Sequence, residues 1–548
     1  MTQAILHAAR LLLDSTSLSN SFMSHTMKTR YISAIILAGA LLTATSCTDQ
    51  LDQTNETALS EKQVYENMAT AEKNVLNIYS SWKENYRDER CWLTLIGTDE
   101  IQAGALTALK EQTTTSAAWD WNCGYLNAEN PKVQEMWNYR WPVIAKAADA
   151  INALEATHPA AGSKGEQLIA ELSFIRGFLT LQSTMLWGRV PIEDGSGNYG
   201  RRSLKEVWQF IIDNFTEATK AAETNDEGRA NKYAGYMMLG KALMSAPQET
   251  GLRDYAKAAE AFRTVINSGK YQLDPDYADL FAYDTKKASS EVIMTQTFSN
   301  ARGYANQVQF QIGSRAAQNW FTDGCYFAGY DHAVPTHYAY SSVSKGGLWE
   351  EGDKRRDASI RYDFSYNGVT PDLSTLTWEG LGDDYDELKP HIKKYEDYRT
   401  DKNSGLNISN MWLSGKSIPV LRYADVLLSY AECLNELNRT DEANTYVNQV
   451  RQRAGVANWT SMTQEQFRTK IMDERMRELF GENWHRFDLI RTGKWEELVT
   501  KRNKWCERSV ANGSFVKSNM ILPIPQTELN QNTQMRKEDG SMDQNEGY

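Results

Sequence analysis

Apolar residues recur at intervals of three and four along most of this chain, a spacing that dictates helices with one buried stripe. Ile144, Ala147, Ala148, Ile151 and Leu154 make one stripe, and Leu168, Leu172, Ile175 and Leu179 make another. Tyr255, Ala258, Ala259, Phe262, Val265 and Ile266 repeat the pattern, as do Leu421, Ala424, Leu427, Leu428, Ala431 and Leu434. Small residues stand among large ones in three of the four stripes, which suits helices that approach one another closely. At 548 residues with a hydrophobic fraction of 41%, the chain can bury a large core, and disorder is excluded.

The stretch Leu421 to Ala454 spans 34 residues, with Asn438-Arg439-Thr440-Asp441 as its turn, and it resembles one tetratricopeptide repeat. The expected fold class is mainly α: a tetratricopeptide-like helical repeat scaffold with a loop-rich insert. The expected body runs over 61–548, divided into a helical part 61–270, an insert 271–415 and a C-terminal repeat part 416–548. The insert mixes Gly, Asp, Asn, Ser and aromatics in short runs. Loops on a rigid scaffold are where binding residues concentrate.

Met27, Lys28 and Arg30 precede the apolar run Tyr31 to Ala44, which is the grammar of a signal peptide over 27–46, with 1–26 as an upstream mis-start. The run is shorter than the ~20 residues that a membrane-spanning helix needs. Ala44-Thr45-Ser46-Cys47 looks like a lipoprotein processing site, so Cys47 is the expected lipidation site and 47–60 a polar tether.

A net charge of −12 works against binding a phosphate backbone, so no nucleic-acid partner is expected. With Cys47 acylated, five cysteines remain without a CxxC pair, which indicates neither a disulfide framework nor a zinc ribbon and leaves at least one thiol free. Gly195-Ser196-Gly197-Asn198-Tyr199-Gly200 lacks the strand-and-helix context of a dinucleotide site, and Gly415-Lys416-Ser417 lacks that of a phosphate loop. His332 and His337, beside Asp331, read as a surface loop rather than a metal site. Asp383, Asp384, Asp386 and Glu387 could hold Ca²⁺ but read equally well as a solvated loop, so no cofactor is expected. No nucleophile elbow or chosen carboxylate pair marks an enzyme.

The C-terminal third is more specific. Leu421-Arg422-Tyr423-Ala424-Asp425-Val426-Leu427-Leu428 is followed by Val447-Asn448-Gln449-Val450-Arg451-Gln452-Arg453-Ala454-Gly455 and Glu474-Arg475-Met476-Arg477-Glu478-Leu479. Phe487-Asp488-Leu489-Ile490-Arg491-Thr492-Gly493-Lys494 and Leu522-Pro523-Ile524-Pro525-Gln526-Thr527-Glu528-Leu529 complete the set. These phrases resemble the SusD/RagB family, and Trp187-Gly188-Arg189-Val190-Pro191 and Gly269-Lys270-Tyr271-Gln272-Leu273 agree in order. Asn483-Trp484-His485-Arg486 departs from the family's usual Gly and Arg-aromatic pair.

The resemblance implies a non-enzymatic nutrient-binding lipoprotein at the surface of the outer membrane. It would capture an oligosaccharide, or less readily a peptide, for a SusC-like TonB-dependent transporter. The alternatives are a repeat scaffold that holds proteins and a surface glycoside hydrolase. Charges such as Arg422, Arg451, Arg453, Arg475, Arg477, Glu474, Glu478 and Asp488 beside apolar stripes read as partly buried interhelical ion pairs.

By position in the family, ligand contacts are expected after Asp99-Glu100 and in the insert. The first group is Trp119, Trp121, Tyr125 and Asn122, with Asp120 beside them. The second is Asn319, Trp320, Phe321, Asp323, Tyr326 and Tyr330, with Trp349 and Trp378 of lower rank. A sugar needs an aromatic face and polar groups for its hydroxyls. Trp119-Asp120-Trp121 also fits one ring in the core and its neighbour outside.

Overall fold

The computed structural model describes residues 61–87, 92–104, 120–121, 126–224, 226–281, 289–299, 304–313, 329, 332–361, 390–397, 413–506 and 520–548. Residues Val64–Tyr548 fall in one compact unit. Its longer helices are α1 (Met68–Lys83), α2 (Pro131–Glu155), α3 (Lys164–Trp187), α4 (Leu204–Ala218), α5 (Lys232–Ser245) and α6 (Tyr255–Asn267). After the insert come α7 (Tyr423–Glu436), α8 (Thr440–Ala454), α9 (Gln464–Glu478), α10 (His485–Arg491) and α11 (Trp495–Arg502).

Local chemistry sets the helix starts. Asn130 accepts from the N–H groups of Lys132 and Val133, with Pro131 at the first helical position of α2. Ser203 with Glu206 and Thr463 with Gln466 form reciprocal capping boxes on α4 and α9. Gly455, in the left-handed region, closes α8.

The helices stack in antiparallel pairs, α3 on α4, α5 on α6 and α7 on α8, and each pair packs on the next. Small residues meeting large ones set the spacing: a Cβ on Gly240 of α5 would lie 2.7 Å from the Phe262 ring of α6. Helices α6 and α7 pack directly although the whole insert separates them in sequence. The helical array is thus continuous and the insert is extruded from it. Trp82, Phe174, Phe178, Phe215 and Trp484 belong to its core, and burial of each such side chain stabilises the fold by roughly 1.5–3 kcal/mol.

Three two-stranded antiparallel ribbons organise the insert: β1 (Ile101–Ala103) with β3 (Ala333–Pro335), β2 (Val292–Gln296) with β6 (Ile418–Arg422), and β4 (Ile360–Arg361) with β5 (His391–Ile392). The β2–β6 pair ties an early stretch of the insert to the strand that leads into α7. Buried charge reinforces this attachment. Arg422 bonds Glu291 at 2.5 Å, Glu478 at 2.9 Å and Glu482 at 2.8 Å, and Arg453 reaches Glu291 and Glu478. Arg355, from the short helix Lys354–Ser359, joins Asp353, Glu474 and Glu478. Burial would raise the Glu474 carboxyl, but Arg355, Arg477 and Arg451 hold it down to about 2. A second group links Lys241 of α5, Asp425 of α7, Arg475 of α9 and Asp488 and Arg491 of α10. The sequence suggests partial burial for these pairs, whereas Arg422, Arg475, Glu474 and Glu478 are sealed from solvent. Several helices and ribbons converge on them, which periodicity along one helix does not reveal.

The tempting motifs have structural roles. Lys416 is buried and donates to the carbonyls of Lys394 and Glu396, so it cradles backbone rather than phosphate. Gly195 and Gly197 occupy left-handed positions in an irregular segment between α3 and α4. Cys433 is a buried free thiol. Cys506 is disulfide-bonded, a single bridge that the cysteine spacing does not indicate; its partner lies outside the described residues.

Candidate functional site

The register of one ribbon brings the two expected ligand segments to a common root. Ile101 pairs with Pro335, Gln102 with Val334 and Ala103 with Ala333. In an antiparallel pair the C-terminal end of one strand lies beside the N-terminal end of the other. The Gly104 N–H extends the pairing by donating to the His332 carbonyl at 3.0 Å. The chain after Gly104 and the chain before His332 therefore leave the ribbon at the same end. Trp119, Asn122, Tyr125, Asn319, Trp320, Phe321, Asp323, Tyr326 and Tyr330 belong to those two segments and lie outside the described residues.

Both roots are pinned. A Cβ on Gly329 would lie 2.1 Å from the Gly313 carbonyl oxygen, so the close approach there requires glycine at 329. The His332 N–H donates to the Gln311 carbonyl, and the His332 ring lies 5.2 Å from that of Trp92. Burial lowers the His332 imidazole to about 3, with Lys132 adding to the effect, so it is neutral at physiological pH. His332 is a packed residue at the loop root, which corrects its reading as surface loop.

Trp121 is 2% exposed and belongs to the main core. Its carbonyl sits over Gly97, where a Cβ would fall 2.0 Å away and the φ of +79° favours glycine. Of the two readings of Trp119-Asp120-Trp121, Trp121 is the ring in the core, and it presents no stacking face. Asp120 accepts from the Asn130 side chain at 3.0 Å, which ties the segment to the start of α2. Trp349 is also fully buried and donates Nε1–H to the Ala339 carbonyl at 2.6 Å, so it is a core residue rather than a ligand contact. Trp378 and the cluster Asp383, Asp384, Asp386 and Glu387 lie outside the described residues. Among the described residues no group of His, Cys, Asp and Glu is placed to hold a metal ion.

Beneath the ribbon, Asp99 and Glu100 are buried and gripped by the segment where the sequence departs from the family. Asp99 meets His485 Nε2 at 2.6 Å and Arg502 at 3.1 Å. Burial opposes ionisation of Asp99, but those two cations hold its carboxyl below the usual range. Burial likewise opposes charging of His485, and the Asp99 carboxylate reverses the effect, leaving the imidazole raised. Glu100 accepts from the Gly481 N–H at 2.9 Å, while its other oxygen is buried without a hydrogen bond. Burial pushes its carboxyl up to about 7 against the pull of His485 and the Gly481 N–H.

The same C-terminal segment holds the backbone before β1. Arg486 donates to the carbonyls of Thr94 and Ile96, each at 2.9 Å, and Thr94 Oγ1 donates to Asn483 Oδ1 at 2.6 Å. Asn483 adopts φ +66° to do so. Residues 481–486 therefore position the root of the first segment in which ligand contacts are expected. The sequence marks them only by the departure Asn483-Trp484-His485-Arg486, and their partners stand almost 400 positions away.

A profile described as the SusD family matches residues 255–548. A SusD-like protein of Formosa agariphila is 24% identical over 95% of this chain and 100% of its own. The starch-binding protein SusD of Bacteroides thetaiotaomicron is 25% identical over 83% of this chain and 88% of its own. Among solved structures, a SusD superfamily protein from Bacteroides vulgatus superposes with a TM-score of 0.68 at 20% identity, covering 87% of this chain and 99% of that one. Surface glycan-binding protein A from Bacteroides thetaiotaomicron, in complex with laminarihexaose, gives 0.67 at 20% identity over 84% and 97%. The profile takes in more than half of the chain and the helical array agrees with these structures over most of its length; the chain belongs to the SusD family.

Proposed function

We propose that this protein is a lipid-anchored binding protein of the outer-membrane surface that captures an oligosaccharide and delivers it to a SusC-like TonB-dependent transporter. The observation that carries this reading is the shared root of the two ligand segments on the β1–β3 ribbon. Segments that start from one point can bring their aromatic and polar residues to one ligand, and the buried clamp beneath fixes that starting point. Relatives named for starch and laminarihexaose support a glycan ligand. No described helix is long and apolar enough to cross a membrane, and attachment is assigned to an acylated Cys47. The disulfide at Cys506 accords with export to an oxidising compartment. The protein binds and does no chemistry in this reading.

Mild-detergent purification of the tagged full-length protein from outer membranes tests delivery, with Cys47→Ala as the control. The expected result is a co-purifying TonB-dependent barrel with the wild type and loss of membrane association in the variant. Wild-type protein that sits in the membrane without a barrel would contradict the delivery step.

A further inference from the structure

The end of the β1–β3 ribbon away from the ligand segments is built on two buried acids. The Thr336 N–H donates to the Glu100 carbonyl at 3.0 Å and its hydroxyl to the Asp99 carbonyl at 2.6 Å, so the backbone of these acids holds the chain just after β3. The Thr98 hydroxyl accepts from the N–H groups of Glu100 and Ile101, and the Asn503 side-chain amide donates to the Thr98 carbonyl at 2.7 Å. Three residue pairs separate this base from the point where both segments leave.

The side chains at the base are incompletely matched. Glu100 is 1% exposed; one carboxyl oxygen accepts from the Gly481 N–H at 2.9 Å and the other has no hydrogen bond. His485 is buried as well, gives Nε2 to Asp99 and leaves Nδ1 without a partner. Arg502 joins Asp99 to Asp473 and lies over the Tyr338 ring, whose hydroxyl burial keeps neutral. The other charges that act here are Lys394, bonded to Glu482 at 2.7 Å, and Asp488, bonded to Arg475 and Arg491. None of these groups bonds the second Glu100 oxygen.

A protonated Glu100 suits such a place, because burial disfavours only the charged form, and burial does hold its carboxyl up, to about 7. An ionised Glu100 has a single N–H for two oxygens, stands next to the Asp99 carboxylate and is cut off from water. Hydrating that carboxylate requires the base to open. Opening breaks the bonds to Thr336 and Gly481 and so frees the start of both segments.

We infer that Glu100 is a proton-operated latch at the base of the ribbon: protonated, it keeps both segments anchored, and ionised, it lets the base open. As a control on ligand capture the latch rests on the reading above.

The test is hydrogen exchange of the full-length protein from about pH 5 to pH 8, with each protection factor referred to the intrinsic rate at that pH. Mass spectrometry reads the amides of 100–104 and 332–336, with those of α5 as the core reference. Ribbon protection is lower than that of α5 and falls as pH rises, by up to about tenfold per pH unit, levelling off near pH 7. The sign follows from a folded carboxyl raised above its ordinary 4.5. Asp99, held below 3.8, titrates under this range, and Lys394, lowered by burial to about 8, acts above it. His485 is raised and adds a fall of the same sign only above pH 6.5, so the range below 6.5 isolates Glu100. Glu100→Gln and Glu100→Met each abolish the fall there, and either one that folds decides the point. Ribbon amides as protected as those of α5, or a fall that survives substitution, would overturn the latch and leave glycan capture standing. The exchange needs no ligand, so an absence of binding on a broad glycan array would overturn the capture reading and leave the latch standing.

Discussion

Glu100 shows how one side chain can tie a loop root to the body at a cost that depends on pH. The fold raises its carboxyl to about 7 from an ordinary 4.5, so it favours the protonated form. The sign follows: stability is fully present below pH 4.5 and is lost as pH rises through about 7. Glu100→Gln keeps an oxygen for the Gly481 N–H and removes the titration. Its stability advantage over the wild type should be absent at pH 4, grow through neutral pH and level off near 3 kcal/mol at most, read from urea unfolding at several pH values. A difference that stays flat with pH would show that the buried carboxyl is not the source. At this scale the sequence was legible for Asp99-Glu100 as a landmark but silent on its partners. Trp121 was legible only as one of two alternatives, because alternation within three residues cannot say which ring the chain turns inward.

The helices were the readable elements, because a stripe repeating every three to four residues is a direct consequence of helical geometry. The stripes at 144–154, 168–179 and 255–266 lie on observed helices, and the stripe at 421–434 does so from Ala424 onward, since Leu421 belongs to strand β6. The ribbons were not readable, since strands of two to five residues carry too little alternation to stand out. The buried ion network was visible as charge but not as burial. Arg422 now makes a sharp prediction: Arg422→Met leaves Glu291, Glu478 and Glu482 without their shared cation, and removing one partner from a buried network costs about 3–5 kcal/mol. Chemical denaturation should show a loss of that size. A loss below about 1 kcal/mol would mean that Arg453, Arg355 and Lys394 neutralise the carboxylates without it. Residues 481–486 stayed hidden for another reason: their contacts with 94–100 join the two ends of the chain, and nothing in local sequence records them.

For the whole molecule, the account joins a rigid helical array, an extruded insert and one ribbon from which both ligand segments start. The array makes the ribbon a fixed platform, and the clamp from α10 and the turn before it holds the backbone that leads into β1. Fold and family were legible from motifs that lie mostly in the helices, whereas the expected ligand residues stand in segments whose composition obeys no helical or strand period. The most direct test of the central claim is a crystal structure of the protein with its tightest-binding oligosaccharide. The account predicts a ligand that touches residues of both segments whose roots meet at the β1–β3 ribbon. A ligand bound elsewhere on the molecule and touching neither segment would contradict it.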